Sequence, residues 1–276
     1  MIAKLGIIAG GGSLPGQVAA SCVATGRPVF VIGLEGHADP AALLDYPHCW
    51  CRIGAAGAMI ARLRDEQVQD LVMIGPVRRP SLAELRPDWR AARLLARVGG
   101  RALGDDGLLR AVAGELEREG FRVVGVHDLL RDLVTPAGVL GAVEPDAVAR
   151  SDIAHGIAVG QALGRLDIGQ AVVVQQGLVL GVEAIEGTAA LLERCASLRR
   201  DGPGGVLVKL KKPQQDPRVD LPSLGTATIE QAVRAGLRGI AAEAGGSLLL
   251  GRDAMIALAD RGGLFLVGVD APAAAP

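Results

Sequence analysis

The chain has 276 residues, a formal net charge of −1, and a half-apolar composition in which aromatic residues make up 2%. That length holds one large domain or two smaller ones around a Leu, Val, Ile and Ala core, and the charge excludes a global basic field for nucleic acid. No apolar run approaches a membrane span, and Met1 to Gly10 reads as a first strand rather than a signal peptide, so a cytoplasmic protein is expected.

Strand and helix patterns alternate. Residues 3–9 form a buried strand that runs into Gly10-Gly11-Gly12-Ser13-Leu14-Pro15-Gly16, followed by a helix over Leu14–Ala24 and a strand over Pro28–Gly33. The backbone N–H groups of such a turn can cradle a phosphate; the plainer alternative is a tight connection that binds nothing. It is not the dinucleotide fingerprint, because Pro15 stands where the third glycine belongs and Gly16 comes one residue late. A strand over Cys49–Ile53, a helix over Ala55–Glu66 and a strand over Asp70–Gly75 continue the alternation. Arg78 and Arg79 follow the last strand, either to reach an anionic ligand or to face solvent. A helix over Asp88–Val98 comes next. Asp105 or Asp106 then caps a helix with a Leu108, Leu109, Val112 and Leu116 stripe, which leaves the other aspartate as a minor site candidate. Phe121–Val126 reads as a strand, with His127 after it. Cys22, Cys49, Cys51 and Cys195 read as small core residues, since no second Cys/His pair stands at zinc-ligand spacing.

Both periodicities lapse between Leu133 and Asp146, which divides the chain into residues 1–135 and 136–276. The second part reads as a helix over Ala147–Leu163 and a hairpin of Ala171–Gln175 and Leu178–Ala184 turning at Gly177. A helix over Ala189–Leu198 follows, N-capped by Thr188, then a buried strand over Gly205–Leu210. A helix over Thr228–Ala235, short strands within Ala241–Leu250, a helix over Asp253–Asp260 and a strand over Leu264–Val269 close it.

The strand Gly205–Leu210 turns abruptly polar at its end. Lys209, Lys211, Lys212 and Arg218 gather there with Asp216 and Asp220, and Pro213, Pro217 and Pro222 hold the segment extended. Cations suit phosphate oxygens and carboxylates suit a divalent ion, so a metal-assisted reaction on a phosphorylated substrate is expected; the alternative is a solvated charged loop. His155 is the only histidine of the second part and lies in a helical pattern. Base work therefore falls to a metal-bound water or to Asp220, Asp216, Glu186 or Glu183. Asp220 leads, because a carboxylate between Val219 and Leu221 is costly unless it is paired or binds metal. Gln175 and Gln176 end a strand and bond a ligand or each other; Asp167 and Gln170 precede the same strand.

Leu5 to Pro15, Gly104 to Arg110, Gly164 to Gln170, Val182 to Thr188 and Lys212 to Pro222 together resemble the UDP-2,3-diacylglucosamine pyrophosphatases of the lipid A pathway, LpxI type, over nearly the whole chain. The resemblance implies an α/β fold: an N-terminal Rossmann-like parallel-sheet domain and a second, mixed α/β C-terminal domain. It implies that water cleaves the pyrophosphate at the sugar-side phosphorus, giving UMP and 2,3-diacylglucosamine 1-phosphate, with a divalent ion, Mg²⁺ or Mn²⁺, required. The family's essential aspartate falls on Asp220. The expected site is then Asp220, Lys212 and Arg218 for catalysis, and Asp220 with Asp216 for metal. Gly10, Gly11, Gly12, Ser13, Gln170, Thr188, Lys209 and Gln215 are expected to hold substrate. The partner is the acylated UDP-sugar, with transient inner-membrane contact, no nucleic acid, and a homodimer as the expected assembly. Pro76 departs from the polar Asn expected of the family after Gly75, which puts a side-chain contact there in question. Two alternatives stand beside this reading. One is an NAD-using nucleotide-sugar enzyme, which the glycine spacing opposes; the other is a nucleotide- or lipid-binding module without catalysis.

Overall fold

Short, mostly apolar runs closed by polar or glycine residues make the strands, and they assemble into two units. The computed structural model describes residues 2–78, 85–98 and 105–271, without the side chains of Val98, Asp105 and Asp106. One unit comprises Met1–Arg131 with Asp216–Asp220, and the other Asp132–Gln215 with Leu221–Pro276.

The first unit is built on β1 (Leu5–Ala9), β2 (Val29–Leu34), β3 (His48–Cys51), β4 (Asp70–Ile74) and β5 (Arg122–Val123). They form one parallel sheet in the order β3-β2-β1-β4-β5. This is the Rossmann-like arrangement, and β2 is buried along its whole length, as a parallel strand covered on both faces must be. The helices are α1 (Leu14–Ala24), α2 (Ala56–Asp65), α3 (Trp89–Val98), α4 (Asp105–Arg118) and the single turn α5 (Val126–Leu129). α1 begins with Pro15 in its first turn, where a missing N–H costs nothing. The Asp88 carboxylate accepts from Ala91 N at the start of α3 and from Gly57 N at the start of α2, tying the two helices together. Phe30, Ile32, Ile60, Leu63, Leu71 and Phe121 fill the core. Asp70, 2% exposed, holds Arg122 in a two-bonded fork at 2.7 and 2.6 Å and also pairs with Arg27.

Two readings in this unit change. The strand expected over Phe121–Val126 contracts to Arg122–Val123. Gly125 N donates to the Asp128 carboxylate at 3.2 Å, which closes Val126–Leu129 into a helical turn and puts His127 inside it. The cysteines are free thiols, but only Cys22 and Cys195 are buried; Cys49 and Cys51 are half-buried on the edge strand β3. Burial, with Cys49 alongside, pushes the Cys51 thiol up to about 11, so it is inert as a nucleophile at neutral pH. The capping expectation for Asp105 and Asp106, and the roles weighed for Arg79, lie outside the described residues.

The second unit carries β6 (Gly138–Val139), β7 (Ala171–Gln175), β8 (Leu178–Val182), β9 (Val206–Lys209), β11 (Gly239–Glu243) and β13 (Phe265–Val269). These form a mixed sheet in the order β6-β13-β11-β9-β7-β8, in which β13, β11 and β9 are parallel. β10 (Ser223–Gly225) and β12 (Leu248–Leu250) pair separately, in parallel. β7 and β8 form the expected hairpin, turning through Gln176 (φ 51°) and Gly177 (φ 78°). Both turn N–H groups donate to Asp152, a buried aspartate of α6 (Ala147–Arg165). One sheet face is covered by α7 (Gly187–Ala196), α8 (Thr226–Arg234) and α9 (Arg252–Arg261), with Leu191, Leu207, Ile229, Ile240 and Met255 in the core between. The other face is covered by α6. A Cβ at Gly156 would come 2.5 Å from Val208, at Gly160 3.1 Å from Leu210, and at Gly164 2.9 Å from Pro213. These three glycines, spaced four apart on one helix face, let α6 lie directly along β9 and the loop that leaves it.

Candidate active site

In the first unit the chain direction across the sheet reverses between β1 and β4, and the loops beyond their carboxyl ends are where such sheets bind ligands. Those loops are Gly10–Ser13 and Gly75–Arg78, and they are locked together. Gly10 N donates to Ile74 O at 2.8 Å and Gly11 N to Pro76 O at 2.9 Å. A Cβ on Gly10 would collide with Gly75 O and sit 2.8 Å from its carbonyl carbon. Two of the N–H groups expected to face a phosphate are therefore spent on the end of β4 and the loop that follows it. Gly12, at φ 77°, and Ser13 follow, and among the described residues their N–H groups have no backbone acceptor. Ser13 Oγ accepts from Gln17 rather than capping α1.

Asp216–Asp220 belongs to this same unit. Asp216 accepts Arg218 N at 3.0 Å and Arg218 Nε and Nη2 at 3.0 and 2.7 Å, closing a tight polar turn. The other guanidinium nitrogen reaches Glu117 of α4 at 2.6 Å. The Arg218 hydrogen bonds, opposed by burial, hold the Asp216 carboxyl below the usual range, and its two carboxylate partners raise Arg218. Val219 packs on the core of the first unit, while Asp220 N donates to Asp216 O at 3.1 Å. Asp220 itself is half-buried.

In the second unit the ends of β9 and β11 carry a buried polar cluster. Lys209, 7% exposed, donates to Thr188 Oγ1 at 3.0 Å and to Ser223 O at 3.1 Å. Thr188 donates in turn to Glu183 Oε1 at 2.7 Å, and Glu183, 6% exposed, accepts Gln170 N on its other oxygen. Thr188 is not the N-cap expected of it: α7 begins at Gly187 behind Glu186, and the threonine hydroxyl is drawn to the buried carboxylate. Gln170 Oε1 is buried and, among the described residues, has no hydrogen-bond partner. Lys212 pairs with Asp167 at 2.7 Å, and its N–H donates to Gln215 Oε1.

Gln175 does not bond Gln176. Its amide bonds Arg200 O, Pro203 O and Arg200 N, and so holds the loop before β9. Glu186 accepts from Ala184 N and pairs with Arg194. Sequence reasoning passed over Glu243. At the end of β11, one residue beyond the Ala242–Lys209 pair in the register, it accepts Lys211 N at 2.8 Å, and burial raises its carboxyl against that hydrogen bond. A lone charged side chain closing an apolar strand is the available signal, the same one that marks Lys209. Among the described residues no three His, Cys, Asp or Glu side chains are grouped to hold a metal, and no helix is long and apolar enough to cross a membrane.

These features define an α/β protein with a glycine-loop Rossmann-like unit and a mixed-sheet unit carrying cations at its strand ends. Residues 4–133 match the family model described as the LpxI N-terminal domain, and residues 136–267 match the LpxI C-terminal domain. The chain belongs to the LpxI family. It is 46% identical over 274 residues to the UDP-2,3-diacylglucosamine pyrophosphatase LpxI of Caulobacter vibrioides, covering 97% of this chain and 98% of that protein. Among solved structures, the UDP-glucose 4-epimerase of Thermus thermophilus in complex with NAD aligns with 98% of this chain and 88% of its own, at 13% identity and a TM-score of 0.34, too weak a likeness to carry an argument.

Proposed function

We propose that the chain is a UDP-2,3-diacylglucosamine pyrophosphatase of lipid A biosynthesis, a hydrolase acting on a phosphoric anhydride. The observation that carries this reading is the 46% identity, end to end, to a protein of that name, with both family domains matched in order. In the reaction a water oxygen bonds to the sugar-side phosphorus. The bond from that phosphorus to the bridging oxygen breaks, and UMP leaves with the bridging oxygen. The water's protons pass to a base and to solvent.

Such a step needs charge neutralisation on the phosphate oxygens and a positioned water. We assign the cations to Lys209, held by Thr188 and Ser223, and to Lys212. The unpartnered Gln170 carbonyl supports a role in accepting a donor from the substrate, since a buried orphan acceptor is costly unless a ligand satisfies it. Gly12 and Ser13, at the start of α1, suit the uridine-side phosphate. Arg218 and Asp216 bond each other, so we give them the role of shaping the turn that presents Asp220. Asp220 takes the water and a divalent ion, Mg²⁺ or Mn²⁺. One carboxylate completed by substrate phosphates and water is the donor set that Mg²⁺ ordinarily uses. When bound, the ion neutralises pyrophosphate charge and makes the water more acidic. The two acyl chains of that substrate support transient contact with the inner-membrane surface, and we keep the cytoplasm as the proposed location.

Turnover in H₂¹⁸O tests the reading. The label should enter 2,3-diacylglucosamine 1-phosphate and not UMP. Label in UMP would overturn the assigned direction of attack, and no UMP release by the folded protein would overturn the activity.

A further inference from the structure

The proposed substrate is a lipid, and α3 carries a surface suited to the bilayer that holds it. Its inward face is Ala91, buried, with Leu94 and Leu95 half-buried, and it packs against α2 and α4. Its outward face is unlike the rest of this aromatic-poor chain. Trp89, one of two tryptophans, is 66% exposed. The guanidinium carbons of Arg90 and Arg93 lie 5.8 and 6.0 Å from its ring centroid. Trp89, Arg93 and Arg97 recur every fourth residue and so share one stripe. Residues 86–97 contain four arginines and one acidic residue, Asp88, whose carboxylate is taken by Gly57 N and Ala91 N. A chain of net charge −1 thus concentrates positive charge on one short helix.

Arg90 and Arg97 also touch Glu119 and Glu115, at 2.6 and 2.7 Å, which tempers the charge at the helix edge. Among the described residues Arg86 and Arg93 face no carboxylate. An indole with an apolar body and one N–H prefers the headgroup layer, and arginines beside it are drawn to anionic lipid.

We propose that the outward stripe of α3, Trp89 with Arg93 and Arg97 and with Arg86 just before the helix, docks the protein on an anionic lipid surface. This rests on the pyrophosphatase reading, which supplies the reason for a lipid surface to be visited. The contact is weak and reversible, since one indole and a few cations are far from a permanent anchor.

The test uses the full chain and its Trp89→Ala, Arg93→Gln and doubly substituted forms, each checked for unchanged melting. The first measurement is co-sedimentation with phosphatidylglycerol-rich vesicles and with neutral phosphatidylcholine vesicles. The second is UMP release from a water-soluble, short-acyl UDP-2,3-diacylglucosamine and from the long-acyl substrate embedded in vesicles. Wild type should bind the anionic vesicles alone and release from them in about 0.5 M salt. Arg93→Gln should weaken binding about five-fold, the worth of one cation at such a surface. The double form should lose vesicle binding and vesicle-embedded turnover while short-acyl turnover stays unchanged. Vesicle binding that the double substitution leaves intact, or no vesicle binding by wild type, would overturn the docking surface. So would a dimer that the double form turns into monomers in sedimentation velocity, which would make the stripe a contact between copies. Failure of wild type on the short-acyl substrate would instead overturn the pyrophosphatase reading, and vesicle binding would still decide the surface.

Discussion

Gly10→Ala separates two roles for a glycine-rich loop. If Gly10 serves only to let a phosphate approach, an added methyl weakens ligand binding and leaves folding alone. The structure predicts the reverse. The methyl would collide with Gly75 O, lie 2.8 Å from the Gly75 carbonyl carbon and 2.8 Å from Pro76 O. All three are backbone atoms, and none can swing aside. Moving the loops apart also threatens the bonds from Gly10 N to Ile74 O and from Gly11 N to Pro76 O. Overpacking of this kind costs about 1–3 kcal/mol and each strained hydrogen bond about 1 kcal/mol, so the loss should be about 3 kcal/mol. For a unit of this size that is roughly 6–12 °C in melting temperature. Gly12→Ala is the control. Its methyl would have space, with the nearest atom at 3.9 Å, and meets only the strain of φ 77°, about 1 kcal/mol. Urea titration of both forms, followed by calorimetric UDP binding to whatever remains folded, reads the two effects separately. Gly10→Ala melting with wild type would refute the packing argument.

Asp70→Asn should destabilise the first unit by about 2 kcal/mol, less than a fully buried broken pair because Arg122 is largely solvent-exposed and rehydrates. Burial raises the Asp70 carboxyl, but Arg122 and Arg27 outweigh it and hold it low. Its contribution is therefore present above the ordinary aspartate value and lost as pH falls through the depressed one, and the gap between wild type and Asp70→Asn should close in acid; a gap that widens there is the contrary result. Glu243 has the opposite sign. Its raised carboxyl favours the folded state at low pH and loses that contribution as pH rises through the folded value. Glu243→Gln keeps an acceptor for Lys211 N, so its melting temperature should exceed wild type at about pH 8 and match it near pH 4; a lower value at the alkaline end would count against this account. Lys209→Met keeps the buried stem and removes the cation, and kcat/KM for UMP release should fall about 100-fold or more with folding intact. A fall below about ten-fold would take Lys209 out of the phosphate site.

Much of the architecture could be read from periodicity alone, since buried parallel strands such as Val29–Leu34 and Val206–Lys209 are short, apolar and closed by polar or glycine residues. The contraction at Phe121–Val126 escaped it because a single carboxylate, Asp128, decides between strand and turn, and that choice leaves no periodic trace. The candidate site was legible as chemistry and much less as pairing. Lys209, Lys212, Arg218, Asp216 and Asp220 announce themselves by charge at the end of an apolar strand. Arg218 folding back on Asp216, Thr188 turning from a cap to a link between Glu183 and Lys209, and Gly10 serving Gly75 are set by which groups meet in space. Glu243 went unseen because its neighbour Lys211 is distant in sequence.

The central claim is a metal-assisted pyrophosphate cleavage that depends on Asp220, and UMP release from UDP-2,3-diacylglucosamine by wild type and Asp220→Ala, with Mg²⁺ and with EDTA, tests it most directly. The account predicts release by wild type that EDTA stops, and about a thousand-fold less from a normally folded Asp220→Ala protein. Full turnover by Asp220→Ala, or release untouched by EDTA, would contradict it.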